Sequence, residues 1–500
     1  METVLTCAVK HGKLSMLLSE KDNYGEDVLY KAAAGDKEDV CRFLVNNFPD
    51  FINKRNNAGW TALHCAYEGG NVGHLTFLSD KGLDIDALTN CGKCSLHIAC
   101  YSANYDVSRY LAENYTKFLH IIDKRGHTVL NDASFGGSVD IFKLLITKGL
   151  DINCVDHDGK TVLHICCSKG RKEMCEYLVE NFPTLLDIKD INGYTVLHDA
   201  CIGGRVDVVD FLVTKGIDIK AVTNIKTLNE HTYPKNREMS QSLKKFKNIN
   251  VLGGKTVLHI SCLYCRGQIC EYLVQRYPQL MEVKDNAGNT ALHDACLGGN
   301  VGILSFLLRK GMDINALTTI GNSVLHASCI GAKYHVCEYL VNNFPHLLNI
   351  INKDGYKCLH SSAAGALHLA ASSGNINVVK LLKEKGVDIM STGLNGKTVL
   401  HLSSMNSRKE MCKYILEHYP ELKDTRDEDG HTALHDACEG GDVDTVSFLL
   451  DRGFDINALT NTGKERDYGQ ILEDHFRGQD SHVLVYNIVE IPKVKNARTV

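Results

Sequence analysis

The chain has 500 residues, 44% hydrophobic and 23% charged, with a formal charge of −5 and a pI near 6.5. Such a composition excludes wholesale disorder and collagen-like order, and it leaves no basic field to hold a phosphate backbone. No run approaches the roughly 20 apolar residues that cross a bilayer, and the opening METVLTCAVKHGKLSM lacks the basic-then-apolar pattern of a secretory signal.

In chain order, residues 1–24 start in the middle of a pattern, with Val4-Leu5 and no preceding turn, and are expected to form an N-terminal capping half-repeat. From Gly25 a Gly-x-Thr-x-Leu-His phrase sets a period of 33 or 34 residues, its leucine falling at Leu29, Leu63, Leu96, Leu130, Leu163 and Leu197. The phrase returns at Leu258, Leu292, Leu325, Leu359, Leu367, Leu400 and Leu434. The register survives a Lys-, Asn- and Ser-rich insertion at 225–252, expected to be a loop, and eight extra residues around 359–367, expected to bulge between turn and helix. Repeats therefore occupy 25–224 and 253–462, six units in each block. Residues 463–500 follow as a charged, helix-like cap and a short tail.

Two kinds of unit alternate. The longer kind reads GKTVLHICCSKGRKEMCEYLVENFPTLLDIKDIN at 159–192, and its companion GYTVLHDACIGGRVDVVDFLVTKGIDIKAVTN at 193–224. In each, a threonine such as Thr161 caps a short helix through its hydroxyl, and a glycine (Gly170, or Gly203-Gly204) ends it. A second helix then sets Met174/Cys175 one turn from Leu178/Val179, or Val208/Val209 from Leu212/Val213, a buried stripe at helical spacing. The longer kind stops at Phe182-Pro183 and the companion at Lys215-Gly216. Pro49, Pro183, Pro278, Pro345 and Pro420 share that stop position.

At WTALHCA (60–66), KTVLHIC (160–166), YTVLHDA (194–200), NTALHDA (289–295) and HTALHDA (431–437) the chain resembles the ankyrin repeat family, with its T-P-L-H-x-A signature. Val, Ala or Cys stands where the family usually has Pro, and Ser323 and Lys357 replace the threonine. Endings such as Gly311-Met-Asp-Ile-Asn match its G-A-D-V-N phrase, and the resemblance covers about residues 3–463. It implies an all-α fold of paired antiparallel helices with projecting turns, stacked into a curved solenoid. A single unit cannot bury its stripe alone, which independently requires neighbours to stack.

The chemistry-bearing residues read as structural. Eleven of the 23 histidines belong to the Leu-His phrase, and the resemblance implies that they tie adjacent turns together. His198-Asp199 has no in-register nucleophile. Gly-Lys-Thr at 159–161, 254–256 and 396–398 lacks the glycine five places earlier that a phosphate loop needs; those places hold Cys154, Ile249 and Ser391. The cysteines fall in register and are expected to lie a repeat apart, as buried thiols of a reducing compartment. The pairs Cys91/Cys94 and Cys262/Cys265 lack a second ligand pair at zinc spacing. No catalytic residue, cofactor or metal ligand is expected.

The residue before the capping threonine lies near the projecting turn, which in the family lines the concave binding face. It is Lys93, Lys160, Lys255, Asn322 and Lys397 in the longer units, and Trp60, His127, Tyr194, Asn289, Tyr356 and His431 in the companions. Two readings stand side by side, a row of partner anchors and rings that each cover their own turn. The carboxylates Asp132, Asp199, Asp294 and Asp436 are expected to cap the first helix of the companions. Together these features suggest a non-catalytic scaffold or adaptor that binds other proteins, in the cytoplasm and with the nucleus as a second location. No nucleic acid, membrane insertion or small-molecule substrate is expected. The alternative is the recognition arm of a larger assembly (a phosphatase regulatory subunit, channel, kinase or acyltransferase) whose active part lies elsewhere.

Overall fold

Each Thr-x-Leu-His phrase starts a helix in the computed structural model, which describes residues 24–48, 54–224, 253–350 and 364–461 apart from 27, 36, 71 and 457. The expectations for residues 1–23, the 225–252 insertion, most of the doubled phrase at 359–367, Tyr356 and the tail beyond 461 lie outside these residues. The described residues divide into two compact units, one ending at Val257 and one starting at Leu258.

In the first unit six helix pairs follow one another: Val28–Ala34 with Glu38–Asn47, Ala62–Gly69 with Val72–Asp80, Ser95–Tyr101 with Tyr105–Asn114, Val129–Gly136 with Val139–Thr147, Val162–Lys169 with Lys172–Asn181, and Val196–Gly203 with Val206–Thr214. The second unit opens in the helix Val257–Leu263, whose first residue belongs to the first unit, paired with Gly267–Arg276. It continues with Ala291–Gly298 and Val301–Arg309, Val324–Ile330 and Tyr334–Asn343, Ala364–Ser373 and Ile376–Glu384, Val399–Met405 and Lys409–His418, and Ala433–Gly440 and Val443–Asp451. Among the described residues there is no named strand, and the one isolated bridge joins Lys189 to Thr195. Within each unit, first helices pack on first helices of the next repeat and second helices on second helices. Within the first unit the core is a layer of the periodic leucines, such as Leu96, Leu130, Leu163 and Leu197, all fully buried.

Helix starts follow from a capping box with an unusual member. At Thr61, Thr128, Thr161, Thr195, Thr290, Ser323, Thr398 and Thr432 the side chain faces the backbone of the third helical residue, whose own side chain reaches back to the cap's N–H. Glu or Gln usually closes such a box. Here histidine does, and Asn131 in one copy. Cys94 occupies the cap position in another and still closes the box with His97.

Helix ends separate the two kinds of unit. The doubled glycine of a companion divides two tasks: Gly204 takes the left-handed conformation at φ 85°, while a Cβ on Gly203 would sit 2.6 Å from the Cys167 carbonyl oxygen of the preceding repeat. In the longer units the proline does more than stop the second helix. Pro183, Pro278 and Pro345 each start a five-residue 3-10 segment after an aromatic cap, and Pro420 starts a shorter one. Each segment buries a leucine, Leu185, Leu280, Leu347 or Leu422.

Candidate protein-interaction edge

Six phrase histidines, His97, His164, His198, His259, His293 and His401, hold both ends of a junction. His164 Nδ1 faces the Thr161 hydroxyl at 2.9 Å and accepts from the Thr161 N–H at 3.3 Å, so Nε2 carries the proton and donates to the Tyr194 carbonyl at 3.2 Å. The same bond links His97 to His127, His259 to Asn289, His293 to Asn322 and His401 to His431. Burial lowers His64, His164, His198, His326 and His401 from 6.5 to about 4, which keeps the neutral tautomer that this geometry needs. These rings are therefore spent on the fold, and His198 turns to its neighbouring repeat rather than to a nucleophile.

The residues before the capping threonine meet a second set of partners. Lys160 Nζ donates to both Asp199 oxygens at 2.6 and 2.8 Å and lies 3.6 Å from Asp190. Lys93 pairs with Asp132, 2.6 Å to Oδ2, and lies 3.6 Å from Asp123. Lys397 pairs with Asp436 and lies 3.2 Å from Asp427. Burial opposes charge on Lys160 and Lys397, and the carboxylates Asp199 with Asp190, and Asp436 with Asp427, outweigh it and hold both ammonium groups above their ordinary range. The expectation that Asp132, Asp199 and Asp436 cap their helices is corrected: capping belongs to Thr128, Thr195 and Thr432, and each carboxylate instead receives the lysine 39 residues earlier. Lys255 is wholly buried, so none of the four edge lysines is a free cation and none of the Gly-Lys-Thr sequences offers one to phosphate.

The companion residues are also drawn into their own turns. His127 lies 3.7 Å from Asp123 in its own turn and 3.3 Å from Asp156 in the next, His431 sits 3.2 Å from Asp427, and Asn289 donates to Asp285 at 2.9 Å. Tyr194 is 7% exposed, edge-on to His198 at 5.6 Å. Trp60, half-buried, leans over His64 at 6.1 Å. The turn carboxylates that receive these side chains are themselves fixed, Asp123 Oδ1 accepting from the Arg125 and His127 N–H groups at 2.8 and 2.9 Å.

Sequence reasoning missed a neighbouring strip. Five residues after the phrase leucine, at the end of the first helix, stand Tyr101, Phe135 and Ile202 in the first unit and Leu297, Ile330 and Met405 in the second. Tyr101 is 45% exposed and stacks on Phe135 at 4.4 Å, and Lys169 Nζ lies 4.2 Å over the other ring. The signal was partial: a large apolar residue stands just outside the buried phrase in these repeats, while Ala34, Glu68, Ser168, Ser372 and Glu439 hold the same position in others.

The thiols correct a second expectation. Cysteines in register do not lie apart: Cys167 meets Cys175 at 3.6 Å, Cys262 meets Cys270 at 3.6 Å and Cys329 meets Cys337 at 3.9 Å, each pair bridging the two helices of one repeat. The CxxC pairs are split instead. Cys262 is buried while Cys265 is exposed in the following turn, and Cys94 is buried in a cap while Cys91 is exposed beside Thr89.

No helix among the described residues is long and apolar enough to cross a membrane. A family profile described as "Ankyrin repeats (3 copies)" matches residues 48–121, 73–156, 130–223, 232–318 and 367–460. The chain is similar to a probable 26S proteasome regulatory subunit, p28, of Saccharomyces cerevisiae, 30% identical over 36% of this chain and 80% of that protein. It is similar to the human transient receptor potential cation channel subfamily A member 1, 26% identical over 85% of this chain, although it spans only 34% of the channel's length. The NF-kappa-B inhibitor cactus of Drosophila yakuba is 28% identical over 37% of this chain and 35% of that protein. Capped helix pairs at a 33- or 34-residue step, the histidine links between them and the matched profile make one statement together: the chain belongs to the ankyrin repeat family.

Proposed function

We propose that this protein is a non-catalytic scaffold that binds partner proteins along the turn edge and the adjoining first-helix ends of its repeats. One observation carries the reading: phrase histidines such as His164 and edge lysines such as Lys160 are engaged in capping boxes and ion pairs, while Tyr101, stacked on Phe135, remains 45% exposed beside them. Exposed rigid aromatics beside cations suit protein interfaces, since rings shed water at small entropic cost. On the edge itself Trp60, His127 and His431 keep part of their surface in water and would add to such contacts, whereas Tyr194 and Lys255 would act through the shape of the turn. Lys93, Lys160, Lys397 and Asn289 would do so too, the lysines with their charge already neutralised. Cytoplasmic residence, with the nucleus as a second site, fits the reduced thiols.

A photo-crosslinking residue at Tyr101 should trap a protein partner in cells, and the same residue at Asn181, at the far end of a second helix, should not. Equal trapping at both positions, or none at either, removes the reading. A second reading rests on the similarity that spans 85% of this chain and 34% of the human channel: the repeats would serve as the recognition arm of a longer polypeptide. Transcript sequence on both sides of the 500 codons decides it, an open reading frame continuing into a further domain supporting the arm.

A further inference from the structure

Across the longer units, three core positions surround one point between the helices. Two lie in the first helix, three and four places after the phrase leucine, and the third lies twelve places after it in the second helix. They hold Ser261, Cys262 and Cys270 in one repeat, Ser328, Cys329 and Cys337 in another, and Ser403, Ser404 and Cys412 in a third. In the repeat at 159–192 all three are cysteine: Cys166, Cys167 and Cys175. Each is fully buried, Cys175 Sγ lies 3.1 Å from Cys166 Sγ and 3.6 Å from Cys167 Sγ, and all three sulfurs fall within 4.8 Å of one another. Cys166 stands where Ser328 places a hydroxyl 3.1 Å from Cys337, so the third thiol occupies an established slot without distorting the repeat.

We propose that Cys166, Cys167 and Cys175 form a three-thiol binding site for a trivalent thiophilic ion, with inorganic arsenite as the ligand that fits it. Number and charge select the ion. Structural zinc takes four ligands, and no other His, Cys, Asp or Glu among the described residues joins the cluster. A monovalent soft ion on three thiolates would leave net negative charge in an apolar core, which is costly, and the nearby charge acting on Cys175 is the Glu176 carboxylate, an anion. A trivalent ion on three thiolates is neutral. The exchange is redox-silent: As(OH)3 and three S–H groups give three As–S bonds and three waters, with arsenic trivalent throughout. Because the site is enclosed, entry waits on local opening of the repeat.

The neighbouring repeats are controls within the same chain. A two-thiol pocket satisfies a monosubstituted arsenical but not arsenite, so phenylarsine oxide should bind at Cys262/Cys270 and Cys329/Cys337 as well, while arsenite should not. In the reduced full-length protein, one arsenic should be retained per chain after desalting, with near-ultraviolet sulfur-to-arsenic absorption. Cys166→Ser, which installs the residue of the sister repeats, should weaken arsenite binding at least tenfold, and Cys262→Ser should leave it unchanged. The proposal is overturned if arsenite is not retained, if Cys166→Ser retains it equally, or if the cluster takes stoichiometric zinc in preference.

Discussion

Two kinds of junction alternate within each unit, and they are not held alike. Where a longer repeat precedes a companion, a lysine reaches a buried carboxylate 39 residues on, as Lys160 reaches Asp199, and a glycine such as Gly203 lets the first helices approach closely. Where a companion precedes a longer repeat, the residue before the threonine is Trp60, His127 or Asn289, and the place of Asp199 is taken by Ile98, Ile165 or Ala327. The histidine-to-carbonyl bond is common to both kinds, as His164 to Tyr194 and His293 to Asn322 illustrate. The difference teaches that the pair of repeats, rather than the single repeat, is the structural quantum, with specific polar contacts inside a pair and apolar packing with shared histidine links between pairs. Hydrogen exchange should accordingly report lower protection across companion-to-longer junctions.

Acid is the largest lever, because it attacks the element that both junctions share. A histidine at about 4 when folded and 6.5 when unfolded takes a proton in the unfolded chain that the folded chain refuses, so stability is full above pH 6.5 and falls as pH drops towards 4. His164 alone then accounts for on the order of 3 kcal/mol, and four more rings behave alike. Asp436, raised by burial to about 6 against the pull of Lys397, works with the opposite sign between pH 3.8 and 6, and Asp190 and Asp199, also raised by burial, act in the same direction as Asp436. Urea midpoints measured from pH 7 to pH 4 should fall steeply; a flat profile would break the neutral-histidine account. Next in size, Lys160→Met strands the Asp199 and Asp190 carboxylates and should cost about 3–5 kcal/mol. Adding Asp199→Asn should recover part of the loss, and an equal loss from a substitution of His157, exposed in the same turn, would blur the distinction between junctions.

Much of this was legible in the sequence, for a physical reason that also marks its limit. Period, cap and stop are local properties, so Thr161, the phrase histidines and Pro183 announced the helices before any coordinates. The Lys160–Asp199 pair was hidden because it joins two repeats through their superposition, and the spacing of 39 is no multiple of the period. The thiol cluster was hidden by the same limit at shorter range: Cys167 and Cys175 are separated in sequence by a turn, and only the antiparallel return of the second helix brings them together. Edge residues such as Tyr194 could be placed near a turn from their position, but their depth depends on the neighbouring turn, which single-repeat reasoning leaves out.

Smaller effects sharpen the contrast between the helix ends of the two kinds. Gly203→Ala would thrust a methyl group to 2.6 Å from the Cys167 carbonyl, an overpacking expected to cost about 1–3 kcal/mol in a urea titration. The longer repeats offer the converse. At the position where Gly170 is left-handed at φ 65°, the sister repeats carry Ala103, Cys265, Ala332 and Ser407 at φ 54–58°. An L-residue held there is strained by roughly 1–2 kcal/mol, while glycine returns about 0.5–1 kcal/mol of that through the larger entropy of its unfolded chain. Ala103→Gly and Ala332→Gly should therefore each stabilise by about 0.5–1 kcal/mol, read as a raised urea midpoint with an unchanged slope. Gly170→Ala should lose about as much. If all three substitutions shifted the midpoint the same way, the left-handed turn would not be what distinguishes these helix ends, and the strain assigned to the longer repeats would have to reside in the 3-10 segments that follow their second helices.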